Sequence, residues 1–227
     1  MHVVVPFAAT EPKTRLESVL SPVERSAVAR AMLADVLCAV VEAGHEPTVV
    51  ATAPFDLEAE LTVDDRVLES VSVVVDDRPL TEAVNDRLPS AEDDDPVAVV
   101  MADLALTTPE TLEALFAHGD DAEVTIAPGR GGGTNALVVR HPAFRVDYHG
   151  ASYLDHCAIA RERGLRLETV DSFRLGTDID EPEDLVEVLI HGNETNCAPT
   201  RLRELGFELE TQDGRVGVVR VGESTQS

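Results

Sequence analysis

Five short segments carry residue types that could do chemistry, and each also has an ordinary structural reading. The first is FAATEPKTRL, residues 7–16, which holds Lys13 and Arg15. Of the 18 Lys and Arg in the chain, only Lys13 is a lysine. A compact ammonium on a flexible stem suits contact with a phosphate, although a surface cation would look the same in sequence. The second is Met101-Ala102-Asp103-Leu104, where the aspartate closes an apolar run and is either a metal ligand or the cap of a turn. In the third, Gly176-Thr177-Asp178-Ile179-Asp180, alternate residues of an extended chain put two carboxylates on one side. Carboxylates that close repel unless a cation lies between them, which suits a hard divalent metal. Asp180 could instead N-cap a helix opening at Glu181-Pro182.

The fourth segment is PGRGGGTN, residues 128–135. Its consecutive glycines Gly131, Gly132 and Gly133 leave backbone N–H groups free to approach an oxyanion, with Thr134 and Asn135 beside them. The bland alternative is a ligand-free hairpin. The fifth, YHGASYLDH, residues 148–156, puts Ser152 at a helix start, either as N-cap or as anion ligand, with His156 one turn further in as a packing residue. Neither a Gly-Lys phosphate loop nor a dinucleotide GxGxxG fingerprint is present: no Gly-Lys pair exists, and Thr134 stands where the last glycine would be.

These segments matter only if the chain brings them together. Strands are predicted at 2–6, 47–52, 71–75, 97–101, 123–128, 135–140 and 165–170. A helix opens after Ser21, where Ser21-Pro22-Val23-Glu24 has the N-cap, the proline and the glutamate of a capping box, and it ends near Gly44. Further helices are expected over 79–88, 109–117, 152–163 and 180–190, then a short helix and a hairpin turning at Asp213-Gly214. Strands alternating with helices give an α/β fold with a mostly parallel sheet flanked by helices. The expected organisation is a single domain over 1–192, with a C-terminal helix-and-hairpin extension, 193–227, packed on it. Ligands in such sheets sit beyond the carboxyl ends of the strands, where four of the five segments fall.

Read in order, VPFAATEPKTRL, SPVERSAVARAMLADVL, MADL, APGRGGGTNAL, YHGASYLDHCAIA and GTDIDEPEDL resemble the 2-phospho-L-lactate guanylyltransferases over roughly residues 1–190. The resemblance implies a GT-A-like (Rossmann-like) nucleotidyltransferase fold. It also implies transfer of GMP from GTP to 2-phospho-L-lactate, or a close analogue such as phosphoenolpyruvate, with release of pyrophosphate, in coenzyme F-420 biosynthesis. By the same likeness Lys13 and Arg15 would meet the GTP phosphates, and Asp103, Asp178 and Asp180 would hold Mg²⁺, with catalysis falling on Lys13 and Asp103. Thr134 and Ser152, with Gly132, Gly133, Asn135 and Gly150, would bind the acceptor. Relatives suggest a homodimer. Two rivals are a related nucleotidyltransferase with another phosphorylated acceptor and a non-catalytic nucleotide-binding module. Against the first, this chain lacks the GG-x-S/T-x-R loop usual after strand one in such relatives, and three carboxylates at strand ends speak against the second.

Composition sets the outer bounds. The chain has 227 residues and a formal net charge of −25, which repels phosphate backbones and anionic lipid and argues against nucleic-acid and membrane partners. No apolar run approaches the ~20 residues of a membrane span. No basic segment precedes the first apolar stretch, so the expected location is cytoplasmic. Cys38, Cys157 and Cys197 are odd in number and far apart, unlike a disulfide scaffold or a CxxC metal site. Acidity with lysine depletion is the composition of a protein adapted to high cytoplasmic salt. Dilution lengthens the screening distance from ~3 Å at 1 M to ~10 Å at 0.1 M, bringing more carboxylate pairs into mutual repulsion. The thermal midpoint should therefore rise from low to multimolar KCl, and a midpoint flat with salt would remove that explanation of the acidity.

Overall fold

The computed structural model describes residues 1–93, 95–118, 122–212 and 214–221. Seven strands, β1 (His2–Phe7), β2 (Pro47–Ala51), β3 (Ser72–Val75), β4 (Val97–Val100), β5 (Val124–Pro128), β6 (Thr134–Val139) and β7 (Leu167–Thr169), form one sheet in the order β3-β2-β1-β4-β6-β5-β7. All its pairings are parallel except the two made by β6, which runs antiparallel to β4 and β5. Residues 129–133 joining β5 to β6 allow a hairpin but no crossover, so β6 must reverse direction.

The helices are α1 (Pro22–Glu42), α2 (Leu57–Glu60), α3 (Asp65–Ser70), α4 (Leu80–Asn85), α5 (Pro109–Ala117), α6 (Ser152–Arg163), α7 (Phe173–Gly176), α8 (Leu185–His191) and α9 (Cys197–Glu204). A hairpin of β8 (Phe207–Gln212) and β9 (Arg215–Arg220) follows them. Strand alternation sorts the core into two layers. Val3, Val5, Ala98, Val100, Ala136 and Val138 pack with buried residues of α1, α5 and α8. Val4, Val97, Val99, Leu137 and Val139 pack with Ala83 and Val84 of α4 and Ala160 of α6. Among the described residues no helix is long and apolar enough to cross a membrane.

The chain runs outward from β1 to β2 and β3, then returns past β1 to lay down β4. Strand order therefore reverses between β1 and β4, the place where an open α/β sheet leaves a crevice beyond its carboxyl ends. Because β6 is antiparallel, its first residue, Thr134, reaches the same end.

The capping box at Ser21 forms: Ser21 Oγ accepts from Glu24 N and the Glu24 carboxylate accepts from Ser21 N. Three short helices escape sequence reading. Asp56, Asp64 and Ser172 cap α2, α3 and α7, none of which is long enough to display an apolar period. The helix expected over 180–190 is a 3-10 turn, Pro182–Asp184, followed by α8, and the strand expected over 165–170 shortens to β7. Of the hairpin turn expected at Asp213-Gly214, Asp213 lies outside the described residues.

The C-terminal segment is fastened to α1 by a buried carboxylate. Asn196 makes no side-chain cap for α9; instead Asp35 of α1 accepts from Cys197 N at 2.6 Å and Ala198 N at 2.8 Å. Burial pushes the Asp35 carboxyl up to about 6, and the two amides pull it back toward the ionised form. Asp35→Ala should leave both amides without a partner and lower stability by ~1–3 kcal/mol. Denaturant midpoints will test this, with Asp35→Asn, which keeps one acceptor oxygen, expected to lose less. A wild-type midpoint for Asp35→Ala would mean that α9 does not depend on this contact.

Candidate active site

The loop after β1 carries Lys13 in left-handed backbone, φ 56°, two residues after Glu11 at φ 48°. For non-glycine residues this conformation costs ~1–3 kcal/mol and persists only where surroundings impose it. Here they do. The Lys13 side chain is 10% exposed, and its Nζ donates to Asp103 Oδ2 at 2.7 Å and to Asp180 Oδ1 at 2.6 Å. Burial opposes charging the ammonium, but Asp103 and Asp180 outweigh it and hold the pKa above its ordinary value. The reading of Lys13 as a surface cation is thereby overturned. Arg15 remains largely exposed and donates from Nη1 to the other oxygen of Asp180 at 3.0 Å.

Asp103 follows β4 at the strand-order reversal, and its carbonyl accepts from Ile179 N at 3.3 Å, which ties the loop of Asp178 and Asp180 against it. The alternative that Asp180 N-caps a helix is overturned. Asp184 accepts from the N–H groups of Asp180 and Glu181, at 3.0 and 2.8 Å, leaving the Asp180 carboxylate to Lys13 and Arg15. Asp178 is held by Asn135, whose Nδ2 donates to Asp178 Oδ1 at 3.0 Å and to the Leu175 carbonyl at 2.9 Å. Burial chiefly, and the neighbouring Asp103 and Asp180 charges, raise the Asp178 pKa against that hydrogen bond.

Among the described residues Asp103 Oδ1 is buried with no hydrogen-bond partner, and Asp178 feels the like charges of Asp103 and Asp180. In donor type and charge the residues fit a hard cation such as Mg²⁺. Among the described residues, however, no group of three or more His, Cys, Asp or Glu is gathered around one point. The Lys13 ammonium instead stands between Asp103 and Asp180.

Beside this cluster lies a cavity of about 430 Å³. Lys13, Arg15, Asp103 and Asp180 line its charged side, and Val50, Leu80, Ala83 and Val84 supply apolar wall. Thr52, Asp76 and Arg78 also line it and were not singled out from sequence, although Asp76 and Arg78 directly follow β3 at its carboxyl end. Hydrogen bonds from Arg78 and Arg87 hold the Asp76 carboxyl well below the usual carboxylate range.

The glycine turn meets α6. Gly132, at φ +85°, is in backbone that favours glycine, and its carbonyl accepts from Tyr153 N at 3.2 Å. Gly129 has to lack a side chain, because a Cβ there would lie 2.4 Å from Asn135 Oδ1. Ala151, not Ser152, is the N-cap residue of α6, and neither residue makes a side-chain cap hydrogen bond. The buried Ser152 is thus not spent on capping. Gly150, at φ +54°, lies two residues before it. Thr134 and Asn135 part company: Thr134 Oγ1 pairs with His156 of α6 at 2.8 Å, whereas the Asn135 amide is committed to Asp178 and Leu175 on the opposite side. Asn135, expected to bind the acceptor, has its Nδ2 hydrogens committed to Asp178 and Leu175.

A family model described as "Guanylyl transferase CofC like" matches residues 1–224. The chain belongs to this family. Relatives of this CofC-like chain include the 2-phospho-L-lactate guanylyltransferase of Haloterrigena turkmenica, 70% identical over 99% of both chains. That of Natrialba magadii is 66% identical over 97% of this chain and 99% of its own, and that of Methanoregula boonei 45% identical over 96% and 95%. Among solved structures, a protein of Desulfovibrio desulfuricans G20 described as a nucleotide-diphospho-sugar transferase has a TM-score of 0.72 at 17% identity, covering 89% of this chain and 94% of that one. A nucleotidyl transferase from Methanothermobacter has a TM-score of 0.55 at 21% identity, covering 90% and 99%. These two share the fold with the CofC-like chain.

Lys13→Arg keeps the charge but replaces a point cation, wedged between two carboxylates, with a wide planar one. Turnover efficiency for the nucleotide should fall at least ~10-fold, equal to ~1.4 kcal/mol of transition-state binding. Steady-state kinetics decide it, and unchanged efficiency would take Lys13 out of the reaction.

Proposed function

We propose that the chain transfers GMP from GTP to 2-phospho-L-lactate, releasing pyrophosphate. The observation that carries this reading is the buried, charged Lys13 between Asp103 and Asp180 in the lining of the cavity, in a chain of the CofC-like family. In this reading the nucleoside lies along Val50, Leu80 and Val84, and the phosphates meet Lys13 and Arg15. The acceptor lies between the glycine turn and the start of α6, at Gly132, Gly133, Thr134, Gly150 and Ser152.

A phosphate oxygen of the acceptor attacks the α-phosphorus in line, the new P–O bond forms, and the bond to the β-phosphate bridging oxygen breaks to free pyrophosphate. A phosphate monoester is already an anion near neutral pH, so no general base is needed. The chain must instead align two anions and neutralise them, and fixed positive groups in a partly dry site supply several kcal/mol of such stabilisation. Mg²⁺ held by Asp103, Asp178 and Asp180 would add positive charge against the phosphates. Lys13 donates to phosphate oxygens from a site already stripped of water, and Asn135 keeps Asp178 turned toward Asp103.

A cytoplasmic homodimer goes with this reading, with the C-terminal hairpin, whose Leu209 and Val216 are exposed, available for contact. Phosphoenolpyruvate and 3-phosphoglycerate offer the same phosphate and carboxylate groups as 2-phospho-L-lactate. Labelled GTP with each acceptor, with and without chelator, is the test. Transfer of label to 2-phospho-L-lactate in highest yield, abolished by chelator and restored by Mg²⁺, is expected. GTP-independent behaviour, or preference for a sugar phosphate, would overturn the proposal.

A further inference from the structure

His156 is fully buried on α6, four residues after Ser152, so the two share one face of the helix. Its Nε2 accepts from the backbone N–H of Asp147 at 2.9 Å. An amide only donates there, so Nε2 carries no proton, and the neutral ring must bear its hydrogen at Nδ1. Burial holds the imidazole down to about 4 against the raising influence of Asp147 and Asp155, so the ring is neutral near pH 7. Nδ1 lies 2.8 Å from Thr134 Oγ1 and therefore donates to it. Phe144 and Tyr148 pack edge-on against the ring, with centroids 5.9 and 5.3 Å away, and keep it from turning over.

A threonine oxygen that accepts from histidine has its own proton to give elsewhere, and among the described residues no protein acceptor takes it. The backbone reinforces this direction. Pro128 pairs with Thr134 but Ala127 pairs with Ala136, so Asn135 is the extra residue of a β-bulge. Strict alternation would aim Thr134 with Ala136 and Val138 toward α1. The bulge turns it to the α6 face, beside Ser152 and the glycine turn.

We propose that His156 is a positioning residue that fixes Thr134 as a hydrogen-bond donor to an anionic oxygen of the acceptor, so that the pocket selects a carboxylate or phosphate over a group that can only donate. This rests on the reading that the acceptor binds at Thr134. His156 acts only through Thr134, since Nε2 is held by the Asp147 N–H and Nδ1–H is held by Thr134 Oγ1.

The full-length chain carrying Thr134→Ala, His156→Phe, His156→Asn and the double change Thr134→Ala/His156→Phe tests the inference by steady-state kinetics with GTP and 2-phospho-L-lactate. Thr134→Ala and His156→Phe should each raise the acceptor KM about tenfold while the GTP KM stays within about twofold, and the double variant should be no worse than Thr134→Ala alone. His156→Asn, whose Nδ2 can stand in for Nδ1–H, should recover most of the loss. Nitrogen-15 NMR of the wild type at pH 7 should report the Nδ1–H tautomer. Additive effects in the double variant, equal changes in both KM values, no recovery in His156→Asn, or an Nε2–H tautomer would each overturn the proposal. An unchanged acceptor KM in Thr134→Ala would overturn the acceptor site itself, and the proposal with it. If His156→Phe does not fold, the tautomer and the His156→Asn kinetics decide.

Discussion

The ammonium of Lys13 joins three segments that are remote in sequence: the loop after β1, the end of β4 and the stretch before the 3-10 turn at Pro182. Each is pulled toward it because a buried ion pair is costly unless both partners are well satisfied, and removing either one leaves an uncompensated charge. Left-handed backbone at Lys13 and Glu11 is the local cost of delivering the side chain there. The same cation explains why Asp103 and Asp180 can face each other in a chain of such acidity.

The second organising feature is the bulge at Asn135. One extra residue in β6 reverses the alternation before Ala136, so that Thr134 turns to α6 and Asn135 to α7, each with a different task. Asn135 faces α7 and governs Asp178. Thr134 faces α6 and is itself governed by His156. The charged cluster around Lys13 and the Thr134–His156 pair thus stand on either side of a single strand of the sheet.

A net charge of −25 and a site proposed for two anionic substrates are compatible because field at short range is local. Lys13, Arg15 and Arg78 line the cavity, while the surplus carboxylates elsewhere are screened by solvent and salt. A residue such as Asp76, held ionised by Arg78 and Arg87, keeps those guanidinium groups ordered without adding free negative charge to the wall.

What the sequence alone determined is what depends on local pattern. Apolar runs marked the strands, Ser21-Pro22-Val23-Glu24 marked the start of α1, and the order of motifs pointed to the family that the whole-chain match then established. Lysine depletion singled out Lys13, and strand-end positions singled out Asp103, Asp178 and the glycine turn. Other features depended on contacts across tens to hundreds of residues, which no local pattern encodes. Asp180 looked like a helix cap until its carboxylate proved to be held by Lys13 and Arg15, more than 160 residues away. Asn135 and Thr134 looked like one group until they proved to bond α7 and α6 on opposite faces, and His156 looked like packing until its ring nitrogens were traced to Asp147 and Thr134. Asp35 gave no signal of capping a helix more than 160 residues away, because that partnership exists only once α9 is laid against α1. Residue type and spacing name the candidates; only the folded chain decides which atom of each is already spoken for and which is left to meet a ligand.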